Sequence, residues 1–278
     1  MHSERSFAQV DVFTSEPTLG NPVAVVLDGA GLGTEQMQAF TDWTNLSEAT
    51  FIVPASDRTA DYSVRIFCPG RELPFAGHPT LGTCHAWLES GGQPKSDVIV
   101  QECGVGLVRI RRGAGSRLSF AAPPLRRSGP LSDSERDVLS RGLGLKEGQI
   151  VDHQWCDNGP GWQAILVDSV ETLRNITPDG EVLAGLDVGV VAPCSGDADF
   201  EVRAFFPGNN GLTEDPVTGS LNAALAQWLI GSGRAPDSYL ASQGRALGRD
   251  GRVFVERIDA DIWIGGDSTI VISGSVLI

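Results

Sequence analysis

Apolar and polar residues alternate through 7–13 (F-A-Q-V-D-V-F), and 22–28 (P-V-A-V-V-L-D) is apolar almost throughout. Both stretches predict strands buried on at least one face, joined by a turn rich in Ser, Pro, Gly and Asn. The spacing then changes. Met37, Phe40 and Trp43 recur every three residues within 34–44, which predicts an amphipathic helix with Thr34 as its N-cap. Strand character returns at 49–54 and 62–67. A second helix is predicted over 80–90, with Pro79 near its first position and Gly91-Gly92 as its stop. That helix is apolar on most sides, so it should be buried all round, with the small residues Gly82, Thr83, Cys84 and Ala86 admitting strands at close range. Three more strands follow at 97–102, 106–112 and 117–122, and then the Pro-rich segment 121–131 breaks the pattern. Beyond it, Ser132 and Glu135 have the spacing of a capping box ahead of a third helix, and 162–168 (W-Q-A-I-L-V-D) is another strong strand.

The two halves of the chain repeat one another. V-R-I-F-C-P-G (64–70) and V-R-A-F-F-P-G (202–208) lie 138 residues apart, while His78-Pro79-Thr80-Leu81-Gly82-Thr83 lies 137 before Asp215-Pro216-Val217-Thr218-Gly219-Ser220. Ala24–Asp28 over Ala164–Asp168 adds a third echo at 140. Near-equal offsets in one order predict an internal duplication, with the second small-residue helix running from Val217. The expected fold class is therefore α+β: two pseudo-symmetric domains, each a mixed β-sheet wrapped around a central helix. Residues 1–124 form the first repeat and 130–278 the second, the last strand being the one element that could return to the first domain. The cleft between two such domains is the default place for a site.

Composition removes several functions. The 278 residues carry 21 Lys and Arg against 35 Asp and Glu, a net charge of −14, and the short pairs Arg111-Arg112 and Arg126-Arg127 make no basic face, so nucleic acid is not an expected partner. No run reaches the roughly 18 apolar residues of a membrane helix, and 1–7 has no apolar leader core; a soluble, cytoplasmic protein is expected. The five cysteines, Cys68, Cys84, Cys103, Cys156 and Cys194, are scattered without a C-x-x-C pair, as suits free thiols. Gly29, Gly31 and Gly33 do not have the dinucleotide-binding spacing, there is no G-x-S-x-G elbow, and the histidines have no partners at metal-ligand spacing.

What remains is proton chemistry. Each repeat places an x-Pro-x-x-Gly-[Thr/Ser] turn at a helix start, where free backbone N–H groups and the helix dipole can hold a carboxylate without a basic side chain. His78 and Asp215 occupy matching places in the two turns, so a pseudo-twofold axis would bring them face to face; taken singly, each also suits a cap. His85, further along its helix, reads as a core histidine. Glu48, at a helix-to-strand turn, reads either as a surface carboxylate or as a shielded one able to take and return a proton.

Five motifs occur together: G-N-P-V-A-V-V (20–26), N-L-S-E-A-T-F-I (45–52), E-x-P-F-A-G-H-P-T-L-G-T (72–83), E-D-P-V-T-G-S (214–220) and Q-G-x-x-x-G-R (243–249). In this order they resemble the PhzF-like phenazine-biosynthesis isomerases. The resemblance implies a diaminopimelate-epimerase-like fold, a homodimer, no metal and no organic cofactor. It also implies that Glu48 moves a proton within trans-2,3-dihydro-3-hydroxyanthranilate, that His78 and Asp215 assist, and that Ser47, Gly77, Gly219 and Ser220 lie near a small-molecule carboxylate substrate. Related racemases use a cysteine in each turn, and neither turn here has one, which disfavours two-cysteine racemisation; Cys84 reads as packing. Leu221 and Asn222 depart from the family pattern and are expected to alter the pocket floor. The same chemistry on a different amino acid or amino-hydroxy acid, and a catalytically silent small-molecule binding protein, are the alternatives.

Overall fold

In the computed structural model, which describes residues 3–208 and 211–278, the chain folds as two compact units. One contains the residues up to Ala121 together with Gly265–Ile278, and the other is Ala122–Ile264. The fold class is α+β.

The first unit opens with β1 (Glu4–Val12) and β2 (Asn21–Val26), then α1 (Thr34–Thr44), β3 (Ala49–Val53), β4 (Tyr62–Cys68), β5 (Arg71–Leu73), α2 (Gly77–Glu89), β6 (Val98–Cys103), β7 (Gly106–Arg112) and β8 (Leu118–Ala121). The second holds α3 (Asp133–Gly142), β9 (Ile150–Trp155), β10 (Gln163–Val167), α4 (Val170–Arg174), β11 (Val188–Pro193), β12 (Phe200–Gly208), β13 (Gly211–Glu214), α5 (Gly219–Gly231), β14 (Ser238–Gln243) and β15 (Gly251–Ile258). After β16 (Asp261–Gly266), β17 (Ser268–Leu277) pairs antiparallel with β1, from Val12↔Ser268 to Glu4↔Leu277.

Strand pairing repeats in the same order in both units. β1 is antiparallel to β2, β2 parallel to β3, β3 antiparallel to β4, and β4 antiparallel to β5 and parallel to β6. β9 to β14 do the same: β9 antiparallel to β10, β10 parallel to β11, β11 antiparallel to β12, and β12 antiparallel to β13 and parallel to β14. The parallel pairs β4/β6 and β12/β14 need crossovers, and α2 and α5 supply them between β5 and β6 and between β13 and β14.

Each crossover helix is buried nearly all round. Along α2, Leu81, Cys84 and Ala86 are closed off, and a Cβ at Gly82 would come 2.5 Å from Val23 Cγ1 and 2.9 Å from Val12 Cγ2, so the absent side chain is what lets β1 and β2 approach. Gly189 does the same in reverse, presenting bare backbone of β11 to Leu221 of α5. On the opposite side of the first sheet, Ala24, Val26, Met37, Phe51 and Phe67 pack under α1; in the second unit, Leu139, Leu173, Ile165, Val190 and Phe205 form the corresponding core.

Several local expectations shift. α1 starts where predicted, but its N-cap is Gly33, whose N–H donates to Gln36 Oε1 at 3.0 Å, because the Thr34 hydroxyl accepts from Arg65 instead. Its apolar side is narrower than predicted: Met37 is buried while Trp43 is exposed. α2 begins at Gly77 rather than Thr80, with Pro79 inside its first turn, where a missing N–H does no harm; it ends at Ser90, followed by Gly91 at φ +96°. α5 begins at Gly219, not Val217, leaving Asp215-Pro216-Val217-Thr218 outside the helix, with Thr218 extended at its N-cap. The equivalent helix-entry residues are thus Ala76 and Thr218, which pairs His78 with Ser220 rather than with Asp215. α3 has the predicted cap, with Ser132 N–H donating to Glu135 Oε2 at 2.8 Å and Glu135 N–H to Ser132 Oγ at 3.3 Å. All five cysteines are free thiols, and no helix among the described residues is long and apolar enough to cross a membrane.

Candidate active site

In the first unit three of the sequence motifs converge on one close carboxylate–imidazole contact. Asn45 ends α1 with φ +57°, turning the chain so that Ser47 and Glu48 lead into β3. Backbone bonding fixes that turn: Ala24 N–H, from G-N-P-V-A-V-V, donates to the Glu48 carbonyl at 3.3 Å. His78 projects from the first turn of α2, and its Nε2 lies 3.2 Å from Glu48 Oε2, with side-chain exposures of 5% and 16%. Asn21, from the same motif as Ala24, places Nδ2 3.4 Å from His78 Nδ1, and the imidazole is also hydrogen-bonded to the Pro22 backbone.

Burial dominates the electrostatics of the histidine. Desolvation drives the His78 pKa down to about 3, only partly opposed by the Pro22 hydrogen bond. At neutral pH the ring is an uncharged imidazole that lies against the Glu48 carboxyl and does not neutralise it with a full charge. Gly77 precedes His78 at the helix start, where first-turn N–H groups have no carbonyl within the helix. Cys84, two turns on, is buried, and its thiol is pushed up to about 12 by desolvation, as packing rather than nucleophilic chemistry requires. His85 is half-buried, less enclosed than a core position.

The second unit builds its group around the entry to α5. Asp215 is 9% exposed; its N–H donates to the Ala204 carbonyl at 3.0 Å, and Thr218 Oγ1 donates to its Oδ2 at 2.6 Å. Gly219 and Ser220 open the helix. Trp162 Nε1 donates to Ser220 Oγ at 3.1 Å and Asn158 Nδ2 to the Ser220 carbonyl at 2.8 Å, so the serine hydroxyl has an occupied lone pair and its own O–H left as a donor. Leu221 and Asn222, expected at a pocket floor, are 0% and 1% exposed: Leu221 packs on Gly189, and Asn222 Nδ2 donates to Gln243 Oε1 and to the Thr218 carbonyl. Among the described residues no three His, Cys, Asp or Glu side chains cluster as a metal site.

Residue-type reasoning missed Asn21, Trp162, Asn158, Thr218 and Gln243. Asn21, Thr218 and Gln243 lay within recognised motifs, but nothing local assigned them a partner; Trp162 read only as the start of a strand.

Residues 10–274 match the family model described as phenazine biosynthesis-like protein. The chain belongs to that family. The phenazine biosynthesis-like relatives include antisense-enhancing sequence 1 of Schizosaccharomyces pombe, 34% identical with 99% of this chain and 100% of that protein covered. Trans-2,3-dihydro-3-hydroxyanthranilate isomerase of Pseudomonas aeruginosa is 33% identical, with 89% of this chain and 88% of the relative covered. Among solved structures, a phenazine biosynthesis protein of the PhzF family from Bacillus anthracis has the same fold, with a TM-score of 0.85 at 23% identity over 99% of this chain and 100% of that one. Membership of this isomerase-containing family accords with the resemblance carried by the five motifs.

Proposed function

We propose that the protein is an isomerase that moves a proton by general acid–base catalysis on a small cyclic carboxylate, with Glu48 as the proton carrier. The observation that carries this reading is the buried contact between Glu48 Oε2 and His78 Nε2 at 3.2 Å, beside an imidazole that burial keeps neutral. One carboxylate that takes a proton from one carbon and returns it to another of the same molecule completes an isomerisation with no net proton change. A neutral His78 suits this chemistry, because it packs against the carboxyl without a fixed positive charge that would hold Glu48 ionised and weaken it as the base that must first take the proton.

Asp215 is assigned to the same reaction on the family motif, as an assisting group. The first-turn N–H groups of Gly77 and Gly219 and the hydroxyls of Ser47 and Ser220 are the donors proposed for the substrate carboxylate. The name of the 33% identical relative makes trans-2,3-dihydro-3-hydroxyanthranilate the first substrate to try. A different amino acid or amino-hydroxy acid stays within the same chemistry. A homodimer in the cytoplasm, needing neither metal nor organic cofactor, completes the proposal.

The test is incubation with that compound in deuterated water, following substrate loss and deuterium uptake, with Glu48→Gln in parallel. Removing the acid–base group should lower turnover by about 10²- to 10⁴-fold. Equal turnover in both proteins would refute Glu48 as the carrier. No turnover by wild type would refute this substrate, and ligand-induced stabilisation without exchange would favour a silent binding protein.

A further inference from the structure

The motif Q-G-x-x-x-G-R at 243–249 has no part in the proton chemistry above, yet it is built against the Asp215 turn. Gln243 ends β14 with 2% of its surface exposed, and its amide is fully used. Nε2 donates to the Asp215 carbonyl at 3.1 Å and to Thr218 Oγ1 at 3.0 Å, while Oε1 accepts from Thr218 N–H at 3.1 Å and from Asn222 Nδ2 at 2.9 Å. Two donor bonds and two acceptor bonds exhaust what one carboxamide can make. They also fix which end is which, since only nitrogen can serve a carbonyl and only oxygen a backbone N–H.

The next residue completes the contact. Gly244 has φ +94°, and a Cβ there would lie 2.6 Å from the Pro216 carbonyl oxygen, so the backbone of the motif is laid directly on the Asp-Pro-Val-Thr segment. Gly251 likewise leaves room for Val217 Cγ2.

We propose that Gln243, acting through Thr218, is a positioning residue that sets the orientation of the Asp215 carboxylate. With Gln243 Nε2 donating into Thr218 Oγ1, the hydroxyl hydrogen turns toward Asp215 Oδ2, where the 2.6 Å separation matches a charge-assisted bond. Asp215 Oδ2 is then an acceptor with one fixed direction, and its backbone carbonyl is pinned by the same amide. In the first unit the helix-entry residue equivalent to Thr218 is Ala76, which has no hydroxyl, and the glutamine of that unit, Gln101, donates instead to Thr80 Oγ1 at 3.0 Å and accepts from Tyr62 Oη. The hydroxyl that links the glutamine amide to a carboxylate therefore belongs to the second unit's helix entry, where it ends on Asp215.

The inference rests on the reading of Asp215 as a participant in the reaction, so its test separates the two. Full-length protein labelled with ¹³C at the aspartate carboxyl carbons is compared as wild type, Thr218→Val, Thr218→Ser and Gln243→Met, with Asp215→Asn identifying the Asp215 resonance. Thr218→Val keeps the shape and removes only the hydroxyl. It should shift that resonance and lower kcat on trans-2,3-dihydro-3-hydroxyanthranilate by about tenfold or more with KM nearly unchanged, the loss of a hydrogen bond to a charged group. Thr218→Ser should restore both, and Gln243→Met should move the resonance as Thr218→Val does, even if its melting temperature falls. A resonance that stays in place in Thr218→Val overturns the inference whatever the turnover. A shifted resonance with Asp215→Asn as active as wild type supports the positioning contact while refuting Asp215's part in the chemistry.

Discussion

The neutral His78 makes a specific demand on acid stability. In the unfolded chain a histidine takes up a proton below about pH 6.5. In the folded protein desolvation delays this until about pH 3. Above pH 6.5 both states hold the ring neutral and the histidine contributes nothing to the pH dependence. Between those values the unfolded state binds a proton that the folded state refuses, so stability falls as pH falls. At pH 4.5 the gap spans two pH units at about 1.4 kcal/mol each, so His78 should cost the fold about 3 kcal/mol relative to pH 7. Urea unfolding of wild type and His78→Gln at pH 7 and pH 4.5 isolates the effect, because glutamine has no proton to gain. The variant should lose about 3 kcal/mol less than wild type over that interval, whatever the absolute cost of the substitution. Equal losses, or a native His78 imidazole resonance, identified by its absence in His78→Gln, titrating near pH 6.5, would refute the reading that the ring is held neutral by burial.

Two further predictions concern how the sheets are held. Arg203 and Glu214, with side chains 9% and 12% exposed, form a bidentate pair at 2.9 and 2.8 Å, and Arg203 Nη1 also donates to the Leu173 and Ile176 carbonyls. Its repeat counterpart, Arg65 with Glu72, is 29% and 39% exposed. Arg203→Met should therefore cost about 3–5 kcal/mol by leaving a buried carboxylate uncompensated, and Arg65→Met about 1 kcal/mol or less; equal costs in denaturant titrations would contradict the argument. Gly82→Ala should destabilise by about 1–3 kcal/mol, because its methyl group would enter the Val23 side chain, whereas Gly231→Ala, on the last turn of α5 with open space around it, should be neutral or gain up to about 1 kcal/mol of helix propensity. A Gly82→Ala protein as stable as wild type would mean that α2 does not rest on β2 as described.

The strands and the capping box of α3 were legible because their signals are local: alternation within six residues, or Ser132 and Glu135 at a fixed spacing. The α1 cap was misplaced because Arg65, 31 residues away, takes the Thr34 hydroxyl. Trp43 fits the helical period and is nevertheless exposed, since periodicity cannot tell which end of an apolar stripe the sheet covers. The start of α5 was misread for a related reason. D-P-V-T-G-S resembles H-P-T-L-G-T residue by residue, yet Thr218 is held extended by Gln243, and the helix begins after it. Among the candidate residues, the type and context of Glu48 were visible, but its enclosure with His78 arises from a turn and a helix start 30 positions apart. Gln243 stands 28 positions from Asp215, a distance no spacing rule connects.

The return of β17 to β1 has a consequence for how the chain is made. Ser3 N–H donates to the Ile278 carbonyl at 2.9 Å and Ile278 N–H to the Ser3 carbonyl at 3.2 Å, so the first unit is closed by residues that follow the whole of the second. During synthesis Ala122–Ile264 emerges complete and can fold as a block, whereas β1 waits with one edge unpaired until Ser268–Leu277 arrives. The slow, aggregation-exposed step thus belongs to the unit that is translated first, and loss of the final strand would be felt there rather than in its neighbour in sequence.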